Sequence, residues 1–456
     1  MRGALRFSLS RTVRVLTVVL CLPLIALAGC GKGSPHAASP SLASFPGHDP
    51  RIAWDGSGRL HAVYVEDRPG GPAVVYRRVG RVGKDAAGPV TVSPAGLQVS
   101  ASREVPPTLD LLPDGTLITG YPVKLPGKWK SELRVQRSTD GGATWSEPRL
   151  LHPPEDGAHS LLSSATSSTG TAVFAWLANG DGSAAEGHMD HMAHMAQMGK
   201  DAAAHMSKEH MAQMAGGHKG MGIRTASTRD GLAFTPVQTV DSQTCQCCGT
   251  DLVAGRQGRV WLAYRDLEEG DVRDFRVLSA VSDPPVFSPG VKLSEDHWQI
   301  RGCPETGARL AEAPDGTLWA AWFTGAGEAG VYVTFSKDGG ASFAPRTFLT
   351  TPDRLGKHPE IGILPDGRVA VLYETPGEGD VPTIQARLRD AGGTWSAPKT
   401  LVTGAVYPRL AIRGDRAALA FTCRSGAAPS VVVADWKGLE EASAPLPCAP
   451  EKVARN

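Results

Sequence analysis

The feature that most restricts the fold of this 456-residue chain is a unit that recurs about every fifty residues. Each of seven segments has an alternating apolar run, a turn containing Gly or Asp-Gly, and a second alternating run. These segments are 50–64, 107–117, 161–176, 251–264, 308–322, 359–369 and 408–421. Alternation around such a turn is typical of a β-hairpin. Two further strand-like runs follow each hairpin, and four strands per unit at this period predict the blades of a β-propeller.

A second kind of turn combines Asp and Gly with a following aromatic residue. It occurs at 138–145, 336–343 and 390–395, with a looser copy at 227–234. These turns resemble the Asp-box (BNR repeat) of the sialidase-like propeller superfamily, in which Asp fixes the turn backbone and Gly takes a positive φ. Sialidases of that superfamily have six blades, but this chain has seven units. We therefore expect an all-β propeller of seven four-stranded blades, with six as the alternative.

The N-terminal residues have the composition of a bacterial export signal. Four arginines precede an apolar run at 15–28, which is too short for a stable membrane span. The run ends in Leu-Ala-Gly-Cys at 27–30, which resembles the lipobox of bacterial lipoproteins. That resemblance implies lipidation of Cys30, and Gly31 after it implies the periplasmic side of the outer membrane, with the lipid as the link to the membrane. An ordinary secretion signal is the alternative.

The expected domain organisation follows from these segments. Residues 1–29 are the signal peptide, 30–47 the lipidated Cys and a flexible tether, and 48–450 the propeller, with an insertion at 181–222. The 47 basic and 46 acidic residues nearly balance, so no basic surplus points to nucleic acid as a partner.

Scarce residue types occur just before the first strand of several units. Because the innermost strands of a propeller all begin at one end of the central channel, we expect these residues to converge there. They form a second candidate metal site or a disulfide site, with members Cys245, Cys247, Cys248, Cys303, His48, His159 and His358.

The cysteines allow two interpretations of that site. Cys423 and Cys448 lie in the last unit and are expected to form a disulfide, which the periplasm permits. The other four mature thiols form either two disulfides or a thiolate site for a soft metal. Because Cys247 and Cys248 are adjacent, the geometry of two separate, unstrained disulfides is difficult to satisfy. The stretch 245–252 also resembles a signature of secreted bacterial proteins labelled sialidase-like on fold grounds, which implies fold rather than chemistry.

The insertion in the third unit concentrates methionine and histidine. Eight of the nine methionines and six of the thirteen histidines lie there, and we expect the segment to be helical or disordered. The candidate ligands are His188, Met189, His191, Met192, His194, Met195, Met198, His205, Met206, His210, Met211, Met214, His218 and Met221. Thioether sulfur selects Cu(I), and imidazole accepts Cu(I) or Cu(II). Copper is therefore the predicted cofactor, although methionine also fills gaps in cores.

Three functions remain open at this level. The main hypothesis is a periplasmic copper-binding lipoprotein for copper tolerance, storage or delivery, with a periplasmic copper-handling protein as partner. The first alternative is an exo-sialidase-like glycoside hydrolase, for which the chain offers weak catalytic candidates: Tyr407, Arg409, Glu305, Glu360 and Arg265. The Arg-Ile-Pro motif of that family is incomplete at 51–53. The second alternative is a non-catalytic propeller that binds a protein or a glycan.

Overall fold

The computed structural model describes residues 41–80, 86–102, 104–127, 130–155, 157–179, 220–351, 355–424 and 428–448. They form seven sheets arranged as the blades of a propeller ring, with very little helix. The prediction of seven blades is confirmed, and the alternative of six is wrong. In these ranges no helix has the length and apolar character needed to cross a membrane.

The first half of the ring consists of four blades. A leading strand, β1 (Ser41–Pro46), precedes blade 1, which holds β2 (His48–Trp54), β3 (Leu60–Glu66), β4 (Ala73–Val79) and β5 (Ala87–Thr91). Blade 2 holds β6 (Asp110–Leu111), β7 (Leu117–Lys124), β8 (Ser131–Ser138) and β9 (Arg149–Leu150). Blade 3 holds β10 (His159–Thr166), β11 (Ala172–Ala178), β12 (Met221–Thr228) and β13 (Gln238–Thr244). Blade 4 holds β14 (Asp251–Ala254), β15 (Val260–Arg265), β16 (Phe275–Ala280) and β17 (Val291–Lys292).

Three blades complete the ring. Blade 5 holds β18 (Arg309–Glu312), β19 (Leu318–Thr324), β20 (Gly330–Ser336) and β21 (Thr347–Phe348). Blade 6 holds β22 (Lys357–Ile363), β23 (Val369–Pro376), β24 (Pro382–Arg389) and β25 (Lys399–Thr403). Blade 7 holds β26 (Ala405–Arg413), β27 (Arg416–Cys423) and β28 (Ser430–Asp435), followed by a short helix (Trp436–Glu441) and by β29 (Leu446–Pro447), which pairs with β25. Short 3₁₀ turns lie at Arg256–Gly258, Glu269–Asp271 and Glu378–Asp380.

The two ends of the described chain close the ring. Strand β1 pairs with β28 and becomes the outer strand of blade 7, with Phe45 opposite Val431. Phe45 is buried against Tyr64 of blade 1, their ring centroids 4.6 Å apart. Residues 41–46, within the segment expected to be a tether, therefore belong to the folded propeller.

Burial between neighbouring blades explains the apolar strands. Every residue of β11 and β19 is buried, including Trp176 and Trp322, because each blade is covered by neighbours on both faces. A strand covered on both faces is apolar throughout instead of alternating. The core therefore lies between the blades, and the central channel is left to polar side chains.

The Asp-box turns join adjacent blades. In blade 2, Asp140 accepts a hydrogen bond from the backbone N–H of Thr144 at 3.0 Å, and Ser138 Oγ donates to the same carboxylate. The following Trp145 packs edge-on against Tyr76 of blade 1, and the Tyr76 hydroxyl donates to the carbonyl of Gly141 at 2.9 Å. These turns are structural.

Candidate functional site

One side chain from each innermost strand lies at an equivalent position, and these seven residues define the axial ring. In blades 1 to 6 the residue lies opposite the one twelve positions later, as Arg51 lies opposite Val63 and Arg309 opposite Ala321. In blade 7, Arg409 lies opposite Ala420. In blade order the axial ring is Arg51, Thr108, Ser163, Asp251, Arg309, Glu360 and Arg409.

A β-bulge precedes the ring residue in four blades. The pairing register shifts near the start of β2, β10, β22 and β26. The bulged segments contain residues in the left-handed region: Asp49 (φ 50°), Leu161 (φ 54°), His358 (φ 48°) and Tyr407 (φ 58°). Such conformations cost on the order of 1–3 kcal/mol each and cluster at functional sites. The bulges set the direction of side chains at the channel mouth.

The axial ring carries three guanidinium groups and two carboxylates. Arg309 lies 3.6 Å from Asp251 and 3.5 Å from Glu360, and Arg409 lies 3.5 Å from the same oxygen of Glu360. These distances exceed the 2.7–2.9 Å or so of a charge-assisted hydrogen bond. Glu360 Oε2 and Arg309 Nε are buried with no hydrogen-bond partner. The ring therefore holds more positive than negative charge, and its ion pairs are loose.

Burial shifts the titration of the ring. It lowers the pKa of Arg409 to about 10, with a further contribution from Arg309. Burial also lowers the pKa of Arg51, and the charge of Arg309 acts in the same direction. It raises the pKa of Asp251, which lies beside Arg309. At Arg309 burial is outweighed by the carboxylates of Asp251 and Glu360, which raise the pKa. An added anion would therefore stabilise mainly the charges of Arg409 and Arg51.

Asp110 is the first residue of β6 in blade 2, two positions after the ring residue Thr108. It is buried and accepts hydrogen bonds from Ser164 and Thr166. Burial raises its pKa to about 6, against a smaller lowering by those hydrogen bonds and by Arg51.

The channel mouth above blades 6 and 7 is built around His358. Its Nε2 lies 3.4 Å from Glu104 and its Nδ1 3.1 Å from Glu374. Glu374 also accepts the backbone N–H of Tyr407 at 2.6 Å, and the rings of His358 and Tyr407 are 5.5 Å apart. Arg424 donates to the Tyr407 hydroxyl at 3.3 Å. The mouth therefore combines a phenol, an imidazole and two carboxylates.

A small cavity connects the mouth to the axial ring. It measures about 10 Å³, room for about one water molecule, and is lined by Glu104, Thr306, Gly307, Arg309, His358, Pro359, Tyr407 and Arg409. Cationic side chains at its base and proton-transfer groups at its rim suit an anion whose neighbouring atoms undergo acid–base chemistry.

The structure separates the catalytic candidates of the sequence. Arg409 and Glu360 belong to the axial ring, and Tyr407 lies at the channel mouth next to it. Arg265 is buried elsewhere, where it donates to the carbonyls of Arg273 and Phe323 and stacks on Phe275. Glu305 is half-buried with φ 50° and does not line the cavity. Sequence reasoning missed Arg51, Asp251, Glu104 and Glu374. Arg51 and Asp251 could have been found, because each occupies the same position in its hairpin, opposite the residue twelve positions later.

Cys245, Cys247 and Cys248, which precede β14, and Cys303 form a cluster that we call the cysteine corner. It contains both a disulfide and free thiols. Cys247 is bonded to Cys303, whereas Cys245 and Cys248 are free thiols, 1% and 2% exposed. The sulfur atoms of Cys245, Cys247 and Cys248 lie within 4.8 Å of one another, and the thiols of Cys245 and Cys248 are the ones available to a metal ion. A hydrogen bond from Cys248 and the charge of Arg273 hold the pKa of Cys245 well below its usual range. A second disulfide joins Cys423 and Cys448.

The histidines of the predicted second site have separate partners. His48 contacts Asp49 at 2.8 Å, and this hydrogen bond is the main cause of its raised pKa. His159 is fully buried and stacks on His152 at 3.6 Å. Burial, and then His152, lower the pKa of His159 to about 3. Across the described ranges, no group with metal-ligand spacing combines a cysteine with a histidine.

His152, Glu155 and His159 form a further group with metal-ligand spacing. Sequence reasoning found only His159, although His152 and Glu155 frame the His-Pro-Pro-Glu run just upstream.

Nearly all of the predicted copper ligands of the insertion, from His188 to His218, lie outside the described residues. Met221 is described, is buried and begins β12. Ala178, where β11 ends, pairs with both His159 and Gly222, so the insertion leaves and re-enters blade 3 at the end where β10 begins. Met221 pairs with Thr244, the residue before Cys245. The ends of the insertion and the cysteine corner are therefore neighbours.

The known proteins similar to this chain are solved structures of low sequence identity. No family model and no curated protein matches the chain. Similar solved structures include a protein of unknown function from Dyadobacter fermentans, with 15% identity, a TM-score of 0.46 and coverage of 72% of this chain and 93% of that one. The NanB sialidase from Streptococcus pneumoniae has 11% identity, a TM-score of 0.47 and 84% coverage of both chains. The alpha-L-arabinanase of Penicillium chrysogenum has 14% identity, a TM-score of 0.48 and coverage of 88% and 97%.

Proposed function

We propose that the protein binds the carboxylate of an acidic sugar at the axial ring and hydrolyses its glycosidic bond, as a sialidase-like glycoside hydrolase. The observation that carries this proposal is the convergence of three arginines, the half-buried Arg51 and the buried Arg309 and Arg409, on the central channel. Guanidinium groups match carboxylates in shape and charge, and they bind them most strongly where water is excluded.

The loose pairing of the ring supports binding of an external anion. Glu360 lies between Arg309 and Arg409 at 3.5 Å from each, too far for strong hydrogen bonds. An incoming carboxylate can therefore approach these guanidinium groups without first breaking a tight ion pair. The charge that it adds offsets the excess of buried cations.

The mouth supplies groups for the reaction. Tyr407 is the proposed nucleophile, because it lines the cavity and Arg424 lies beside its hydroxyl, where a cation stabilises negative charge on the oxygen. As Tyr407 attacks the anomeric carbon, its phenol proton passes to His358, whose ring lies 5.5 Å from the tyrosine ring. The Tyr–sugar bond forms, the bond to the leaving oxygen breaks, and that oxygen takes a proton from protonated Glu104. Water then attacks the sugar and gives one proton back to Glu104, while the tyrosine oxygen leaves and recovers its proton from His358. His358, between Glu104 and Glu374, positions both carboxylates.

The proposed action is exo, on the terminal sugar of a glycan. The cavity between the mouth and the axial ring measures about 10 Å³, room for about one water molecule. In this proposal the sugar ring therefore lies at the mouth, and only its carboxylate points towards the guanidinium groups.

The test is release of sialic acid from a fluorogenic sialoside by the purified protein. Tyr407→Phe should abolish turnover, whereas substrate binding should persist because the axial ring is unchanged. Arg301→Met is a matched control, since that side chain is 70% exposed. Binding without turnover in the wild type would instead support the non-catalytic glycan-binding alternative. Absence of both binding and turnover in the wild type would refute the proposal.

Copper binding by the insertion is a second candidate function. The position of the insertion supports it, because the strand that follows it begins at Met221, which pairs with Thr244 beside the cysteine corner. In this proposal the lipid-anchored protein captures Cu(I) or Cu(II) on the periplasmic side of the outer membrane and exchanges it with a copper-handling protein. Metal analysis with and without residues 182–218 tests it, and equal copper retention by both forms would refute a role for the insertion.

A further inference from the structure

We propose that Cys245 and Cys248 form a buried site for a single soft monovalent cation, of which Cu(I) is the biological example, with Arg273 as its fixed counter-charge. The site consists only of described residues. It depends neither on glycan binding nor on the insertion, and it would give the copper proposal a site within the propeller.

The geometry of the sulfur atoms suits a shared metal ion. Cys245 Sγ and Cys248 Sγ are 3.5 Å apart, and both residues are free thiols at the Cys-x-x-Cys spacing. A metal ion at about 2.3 Å from each sulfur, a usual metal–thiolate distance, would subtend an S–metal–S angle of roughly 100° at this separation. Modest opening of the pair, towards about 4.6 Å, would give the linear arrangement.

Buried positive charge faces the sulfur pair. Arg273 is 1% exposed, and its Nη1 donates to Cys245 Sγ at 3.3 Å. Its Nε and Nη2 are buried with no hydrogen-bond partner, and the carboxylate of Asp271 is 3.9 Å away. Arg265 lies behind it, 2% exposed. A buried guanidinium with unsatisfied donors indicates that negative charge belongs beside it.

Charge balance selects a monovalent ion. Binding of Cu(I) releases the thiol protons and leaves two metal–thiolate bonds, so the Cu(I)–dithiolate unit carries a charge of −1 beside Arg273. Binding of Zn²⁺ by the same two thiolates would give a neutral unit and remove the counter-charge of Arg273. Soft sulfur ligands select Cu(I) in any case.

The same argument disfavours a third disulfide. Oxidation of Cys245 and Cys248 to a disulfide would remove both protons and leave a neutral group beside the buried Arg273. The neighbouring bridge already pairs Cys247 with Cys303 and leaves Cys247 Sγ 3.7 Å from Cys245 Sγ. The buried thiols are thus preserved as ligands while the half-exposed cysteines are cross-linked.

The experiment titrates the full-length protein anaerobically with Cu(I) against a competing Cu(I) chelator, and with Ag(I) as a redox-inert probe. We expect the wild type to retain one more equivalent of each ion than Cys245→Ser or Cys248→Ser, and X-ray absorption to show short metal–sulfur bonds. Arg273→Met should keep the number of bound ions but weaken their affinity at least tenfold. Arg273→Lys should have an affinity between those of Arg273→Met and the wild type. The control is Cys423→Ser/Cys448→Ser, which removes only the distant disulfide.

Two results would overturn the inference. One is equal retention of Cu(I) by the wild type and both single-cysteine variants. The other is a native protein in which alkylation after denaturation finds no free thiol at these two positions, because they would then form a disulfide. Thermal melting separates loss of the site from misfolding: Ag(I) should raise the melting temperature of the wild type but not of folded Cys248→Ser.

Discussion

Arg309 Nε lies 3.5 Å from Glu360 Oε2 in the channel, and both atoms are buried without a hydrogen-bond partner. A buried pair of opposite charges normally shortens this distance to form a charge-assisted hydrogen bond. Here Glu360 is also 3.5 Å from Arg409, so one carboxylate is shared by two guanidinium groups. The arrangement leaves capacity for a second carboxylate, which is the basis of the function proposed for the propeller.

Arg309→Met should weaken binding of a carboxylate-bearing sugar at least tenfold. The side chain loses its charge and its fork of donors, while its apolar length is largely kept. Isothermal titration with N-acetylneuraminic acid measures the change, and Arg301→Met should bind like the wild type. Unchanged affinity in Arg309→Met would show that the ligand binds outside the axial ring.

Asp110→Asn should stabilise the protein at neutral pH. Burial raises the pKa of Asp110 from 3.8 to about 6, so its ionised form costs folding free energy above pH 6 and this cost diminishes as the pH falls through 6 towards 4. The raised pKa corresponds to about 3 kcal/mol at most. Denaturant unfolding at pH 7.5 and at pH 4.5 measures the gain, which should be largest at pH 7.5.

The control for that experiment is Asp114→Asn, at an exposed turn of the same blade. It should show no comparable gain at pH 7.5. An Asp110→Asn variant that is less stable than the wild type at both pH values would contradict the prediction, because lost hydrogen bonds to Ser164 and Thr166 would then outweigh the cost of the buried charge.

Gly142→Ala should destabilise the propeller more than Gly141→Ala. Both glycines have positive φ, 91° and 72°, so each substitution carries a backbone strain of about 1–2 kcal/mol. A Cβ on Gly142 would also collide with the ring of Tyr76, whereas a Cβ on Gly141 has no neighbour within 4 Å. Thermal unfolding compares the two variants. Equal melting temperatures would show that the packing of this turn on blade 1 contributes little to stability.

Phe45→Ala should loosen the closure of the ring. Phe45 is 3% exposed and packs on Tyr64, so its loss should cost about 3 kcal/mol or more. Leu42→Ala, on the same strand and half-buried, should cost less. In Phe45→Ala, the amides of β28 should be the first to exchange their hydrogens faster than in the wild type, because β28 pairs with β1.

The sequence predicts the blades well because each blade is a local unit. Alternating runs around Asp-Gly turns identify hairpins, and seven hairpins account for seven blades. The predicted start of the fold at residue 48 is later than the observed one, because Ser41–Pro46 pairs with β28 almost four hundred residues away. Such closure leaves no periodic signal near the N-terminus.

The candidate site is predicted only in part, and the β-bulges explain why. Alignment of residues before each hairpin selects His48 and His358, and the catalytic candidates from the sequence already include Tyr407, Glu360 and Arg409. That Arg51 shares one ring with Glu360 and Arg409 is not predicted, because all three residues follow a bulge that the sequence does not reveal. Pairing of Cys247 with Cys303 depends equally on how blades 4 and 5 adjoin.

The most direct test of carboxylate recognition compares two ligands that differ in one charge. N-acetylneuraminic acid and its methyl ester share shape and hydroxyl groups, but only the acid can neutralise the guanidinium groups of the axial ring. Isothermal titration of the wild-type protein should detect binding of the acid and binding of the ester at least tenfold weaker. Equal affinity for the two ligands, or no binding of the acid, would contradict the account.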